Sequence, residues 1–178
     1  MLEFYLPFII GVALGIDPTA SGGGATAAPD EIAAPLEDNI GQGSGDDGTG
    51  RAPEPQVATG KFTTALEVRP ILGMTQANWV AVRDYNGQDL LYFTHLLSWR
   101  CGLWDISYGL NGAPPEEVFP MEPCYPDTAS PNALVASESY LPYISLPAGS
   151  VDSVTVAITY DDGGTEEVTF ERAQVLMP

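Results

Sequence analysis

The chain has 178 residues, 24 of them acidic and only 6 basic, for a formal net charge of -18. No face can be basic enough to displace counterions from nucleic acid phosphates, and no polybasic patch is available for an anionic membrane. The 19 Gly and 16 Pro are too many for a helix bundle, and one His with two Cys leaves few ways to build a metal or nucleophile site.

Met1–Ile16 is an apolar stretch whose only charged side chain is Glu3. It is shorter than the roughly 20 residues of a bilayer span. It reads as the h-region of an export signal, with Ala25-Thr26-Ala27 as a small-x-small cleavage site before Ala28. The alternative is a retained membrane-associated segment, since the n-region has no Lys or Arg.

Residues 28–60 read as a disordered acidic linker rich in Gly, Ala and Pro, without a single aromatic. Within it, Gly41–Asp47 resembles one turn of the calcium-binding nonapeptide repeat. That motif works by stacking several turns, so one imperfect copy reads as linker rather than as a metal site.

From Lys61 the texture changes, and 14 of the 17 aromatic residues lie in 62–178. This is the part able to build a core, and 61–178 is read as one folded domain. Thr64–Thr75 is either a short helix with Leu66, Ile71 and Met74 inward, or an extended segment, because Pro70 and Gly73 interrupt it. Trp79–Tyr85 and Gln88–Thr94 flank Asn86-Gly87, a two-residue hairpin turn. That turn sets Tyr85 opposite Gln88, Val82 opposite Leu91 and Val80 opposite Phe93, with these valines, Leu91 and Phe93 on the core face. Trp79, Ala81, Leu90 and Tyr92 then share the other face. This second face is too apolar for open solvent, so it is either covered by another segment or a binding surface.

Leu103–Leu110 gives a further strand, with an edge strand near Val118–Phe119 after Pro114 and Pro115. Ser139–Leu146 is another short extended run. Val154, Val156, Ile158 and Tyr160 alternate with small and polar residues before Asp161-Asp162-Gly163-Gly164 turns the chain into Val168 and Phe170. The sum is a mainly β domain with at most one short helix, an antiparallel β-sandwich of the immunoglobulin or fibronectin kind. An open β-barrel is the alternative.

Cys101 and Cys124 read as one disulfide closing a 24-residue loop. A zinc site from these cysteines and His95 would lack a recognisable fourth ligand, so no metal and no cofactor are expected. His95 is the only imidazole, and the structural reading is a half-buried side chain bonded to the backbone. A hydrolase would have to use it as base with a nearby Ser or carboxylate, yet no G-x-S-x-G elbow selects a partner. Asp161 and Asp162 read as a solvated hairpin tip. Trp99 and Trp104 flank Cys101 and read as core around the disulfide.

Ser98-Trp99-Arg100-Cys101-Gly102, Pro120-Met121-Glu122-Pro123-Cys124 and Ile158–Gly163 together resemble a small exported domain family of Gram-negative bacteria with no assigned activity. The resemblance implies a periplasmic or secreted protein and carries over no catalytic residue. The residues themselves point to a non-catalytic binding or structural module of the cell envelope. Trp79, Leu90 and Tyr92 are its candidate binding residues, and its partner is a neutral or basic protein or a glycan surface.

Overall fold

A computed structural model describes residues 50–135 and 137–178. The signal-like segment 1–27, the linker up to 49 and the Gly41–Asp47 repeat-like motif lie outside the described residues. The described elements are α1 (Ala65–Met74), β1 (Ala81–Tyr85), β2 (Gln88–Tyr92), α2 (Thr94–Leu97), β3 (Leu103–Leu110), β4 (Glu117–Val118), β5 (Tyr143–Pro147), β6 (Ser153–Tyr160), β7 (Thr165–Glu171) and α3 (Arg172–Val175).

The strands form two antiparallel sheets, one in the order β1-β2-β5 and the other in the order β4-β3-β6-β7. The constant-type immunoglobulin order keeps its fourth strand in the first sheet. Here that strand has moved to the edge of the second sheet, giving a fibronectin-like sandwich and no closed barrel. The Asn86-Gly87 register is as the turn chemistry requires: Tyr85 pairs with Gln88, Val82 with Leu91 and Ala81 with Tyr92. Asn86 and Gly87 both take positive φ, at 54° and 77°, which a type I′ turn demands. One continuous core joins Val82 and Leu91 of the first sheet to Ile106, Val154, Val156, Ile158, Tyr160 and Phe170 of the second.

Three expectations are corrected. Thr64–Thr75 is helical, but its inward residues are Ala65, Val68 and Leu72. Leu66 is 55% exposed and Met74 81%. Pro70 lies inside the helix, and groups outside it satisfy the amides of its first turn. Asp161 Oδ1 accepts the Ala65 amide at 2.8 Å, and Gln56 Oε1 accepts the Leu66 amide at 2.8 Å. The Glu67 carboxylate accepts the amides of Thr59, Gly60 and Thr63, so it draws the preceding loop around the first turn.

The hairpin tip at Asp161 and Asp162 is therefore not simply solvated. Asp161 is buried, and Asp162 Oδ1 receives Arg69 from α1 at 2.6 Å. Nor does the folded body start at Lys61. Residues 51–60, read as linker, bond to it: the Glu54 amide donates to the Asp161 carbonyl at 2.8 Å, and the Trp104 indole donates to Glu54 Oε1 at 3.1 Å. Composition located the change of texture ten residues late, because a strap held by hydrogen bonds needs no aromatic of its own.

Trp79 is core, one of the two alternatives for its face, but it reaches the core from outside the sheet. It follows a 3-10 turn (Gln76–Asn78) with αR backbone angles, so the strand alternation has not begun. Its ring enters the core fully buried, and its indole N–H donates to the Leu72 carbonyl of α1 at 3.0 Å.

Between β4 and β5 runs an irregular segment with no long ladder, fastened in two ways. Cys101 and Cys124 are joined in a disulfide, as the sequence reading expects. Arg100, 2% exposed, donates to the carbonyls of Leu97, Glu122, Pro123, Asn132 and Ala133. Burial pushes its pKa down, with Glu122 and Tyr125 opposing. Glu122 is buried beside it and accepts from the Tyr125 hydroxyl and the Val135 amide, both at 2.8 Å.

Two substitutions test this account. Trp79→Ala is expected to lower unfolding free energy by about 3–5 kcal/mol, read from urea denaturation; a protein that melts like the wild type would refute the core placement. Arg100→Met is expected to cost about 3–5 kcal/mol, because it strands several buried carbonyls. Hydrogen exchange should localise that loss to residues 120–135.

Candidate binding face

The three-stranded sheet turns Val82, Asp84, Asp89, Leu91, Ile144 and Leu146 to one side. The ladder pairs set the other side as a grid. Ala81, Tyr92 and Tyr143 form its first row, Arg83, Leu90 and Ser145 the second, and Tyr85, Gln88 and Pro147 the third. Strand and residue spacings make this grid roughly 10 Å by 14 Å.

Two of the three candidate residues lie on it. Leu90 is 7% exposed and stands outside the main core cluster, at the centre of the grid. Tyr92 is half-buried and meets Tyr143 at 5.1 Å between ring centroids, tilted by 50°. Trp79 is absent from the face for the reason given above. Tyr143 takes its place, a residue that sequence reasoning did not select. Its strand was legible, but which strand β5 would join was not.

The remaining grid residues are mostly open. Tyr85 is 55% exposed, and Arg83, Gln88, Ser145 and Pro147 are exposed as well. The Arg83 guanidinium lies 5.0 Å from the Tyr85 ring centroid, a cation–π arrangement.

The face is held rigid from behind. Asp89, on the opposite side of β2, is completely buried. Both its oxygens take the Arg172 guanidinium, at 2.6 and 2.8 Å, and Oδ2 also accepts the Val151 amide at 3.2 Å. Arg172 opens α3, so this ion pair ties the first sheet to the end of β7. Its hydrogen bonds hold the Asp89 carboxyl at about 2, outweighing the upward push of burial. On the outer edge of β1, the Met177 amide donates to the Val82 carbonyl at 2.8 Å.

His95 lies elsewhere, in α2. Its Nε2 is 2.7 Å from the Thr75 hydroxyl, which itself donates to the Ile71 carbonyl at 2.7 Å. The Thr75 proton is thereby committed, so His95 Nε2 is the donor in their bond. Burial pushes the imidazole pKa down. The structure gives the His95 ring a threonine acceptor in place of the expected backbone bond. Among the described residues, no group of three or more His, Cys, Asp or Glu is placed to hold a metal ion.

A 530 Å³ cleft runs along the disulfide, lined by Glu54, Thr64, Met121 and Pro126. A 470 Å³ cleft lies between Tyr108, Glu116, Glu117 and Leu146. A 90 Å³ apolar cavity beneath Leu97, Leu134 and Leu141 contains one carboxylate, Glu122, already bonded to Tyr125 and Val135.

Trp99 and Trp104 are likewise placed away from the face. Trp99 packs edge-on against Phe62 at 5.3 Å. Trp104 lies under the 51–56 strap, with Arg51 over its ring at 5.1 Å. No protein-family model, curated protein or solved structure matches the chain.

The Asp89–Arg172 pair generates a pH prediction. The folded pKa of Asp89 lies below its unfolded value of about 3.9, so the pair's contribution is present above that value. It is lost as pH falls through about 2. Unfolding free energy should drop between roughly pH 4 and pH 2, and Asp89→Asn should remove that part of the drop. At pH 7 the same variant should cost about 3–5 kcal/mol, since it leaves a partly buried guanidinium unpaired.

Proposed function

We propose that this domain is a non-catalytic binding module of the cell envelope, engaging its partner through the exposed side of the β1-β2-β5 sheet. The observation that carries this reading is the half-buried pair Tyr92 and Tyr143, packed beside Leu90 on a face that the main core does not use. Tyrosine offers a large, stiff, amphipathic contact at low entropic cost. A glycan ring or a partner's apolar surface gains most from such a platform.

One structural fact supports an exported setting. The domain carries a disulfide, a bond that persists in oxidising compartments. The signal-like Met1–Ile16 and the small residues up to Ala27 point the same way.

The test is cosedimentation of the purified protein with an isolated envelope fraction. Replacing both Tyr92 and Tyr143 by Ala is expected to weaken retention by tenfold or more. Each half-exposed site should cost less than about 2 kcal/mol of stability. Equal retention of wild type and a folded double variant would remove the aromatic face from the function.

A further inference from the structure

The cations of this chain are few, and nearly all of them are engaged inside the protein. Arg51 faces Asp105, Arg69 faces Asp162, and Arg172 grips Asp89. Arg100 is buried among carbonyls. Lys61 Nζ donates to the Thr128 carbonyl at 3.4 Å. The sequence has no further Lys or Arg except Arg83. Among the described residues Arg83 has no carboxylate partner and no hydrogen-bond acceptor; its contact is the Tyr85 ring.

The position of that unpaired charge is informative. Arg83 lies in the middle row of the grid, directly opposite Leu90, with Tyr92 on the adjoining diagonal. Diagonal neighbours of this kind lie about 7–8 Å apart. None of the nine grid residues is acidic, although the whole chain carries 24 acidic side chains against 6 basic ones. The carboxylates nearest in sequence, Asp84 and Asp89, belong to the opposite side of the sheet. Asp89 is neutralised there by Arg172. The local charge of the face is thus opposite in sign to that of the protein. At physiological ionic strength a ligand on it is screened from distant carboxylates beyond about 8 Å.

Resting on the reading of this face as a glycan or partner platform, we propose that its ligand is a carboxylate-bearing saccharide. The tilted Tyr92 and Tyr143 rings form a shallow trough for the apolar side of one pyranose ring. Arg83 stands one diagonal from Tyr92, so its exposed side chain, turned from the Tyr85 ring, reaches a carboxylate carried on that sugar ring. Guanidinium donates two parallel hydrogen bonds to a carboxylate, which is geometric selection as well as charge. The rings recognise a sugar, and Arg83 selects an acidic one. Gln88 and Ser145, both exposed on the same grid, supply side chains able to bond sugar hydroxyls.

The experiment is a calorimetric titration of the full chain at pH 7 and 150 mM salt with a short oligogalacturonate, and with its methyl ester as the uncharged counterpart. The acid is expected to bind at least tenfold more tightly than the ester. Arg83→Gln should bring the acid down to the affinity of the ester and leave the ester unchanged. Arg83→Lys should restore part of the difference, because it returns the charge without the fork. Arg83 is exposed, so the melting temperature of both variants should match the wild type.

Equal affinity for acid and ester overturns the proposal, as does an Arg83→Gln protein that still prefers the acid. If the Tyr92 and Tyr143 variants nevertheless lose envelope retention, the aromatic-face reading stands without its acidic ligand. If wild type binds neither sugar and those tyrosine variants keep full envelope retention, both readings fall together.

Discussion

An almost wholly buried guanidinium organises the least regular part of this domain. The segment between β4 and β5 lacks the ladder that satisfies carbonyls elsewhere, and buried carbonyls without partners are costly. Arg100 supplies five donors in a fixed plane and distributes them over carbonyls from Glu122 to Ala133. The Cys101–Cys124 bridge, beginning at the very next residue, fixes the same segment covalently. This order matters for the proposed binding face because the segment leads into β5, where Tyr143 arrives opposite Tyr92.

The shortage of positive charge is a second organising fact. Arg69, Arg100 and Arg172 each bind together parts of the chain distant in sequence. Arg69 locks α1 to the β6–β7 turn, both through Asp162 and by lying 4.3 Å from the Tyr160 ring centroid. Arg172 holds the first sheet against the end of the second. The same economy leaves Asp161 in an unusual state. One of its oxygens caps α1 and binds Gln56, while the other is buried without a partner. Burial is the largest cause raising its pKa, and the nearby Glu54 and Asp162 add to it.

Rigidity behind the grid bears on the proposed binding function. A sheet face recognises a ligand only if its rows keep their register, because a one-residue slip sends every side chain to the opposite side. Here the Asn86-Gly87 turn fixes β1 against β2, the Asp89–Arg172 pair pins β2 from its buried side, and Met177 covers the free edge of β1. The tyrosines thus sit on preorganised backbone, which limits the ordering cost of binding.

Local chemistry in the sequence determined the hairpins. Asn86-Gly87 sets a register through its positive φ angles, and strict alternation from Val154 to Tyr160 defines a half-buried strand. Two cysteines in an export-like context named their own bridge. These signals act over a few residues or through a single covalent choice, so they need no knowledge of the fold. Tertiary structure alone decided the inward face of α1, whose Ala65 amide is capped by Asp161, 96 residues further along the chain. It also moved Trp79 from the sheet face into the core, where a turn preceding β1 broke the alternation and the Leu72 carbonyl accepted the indole. The joining of Tyr143 to Tyr92 was likewise decided there, since strand partnership between distant segments depends on how the two sheets divide the strands. Arg100 carried no local sign of its burial, because its acceptors are backbone carbonyls that every sequence contains.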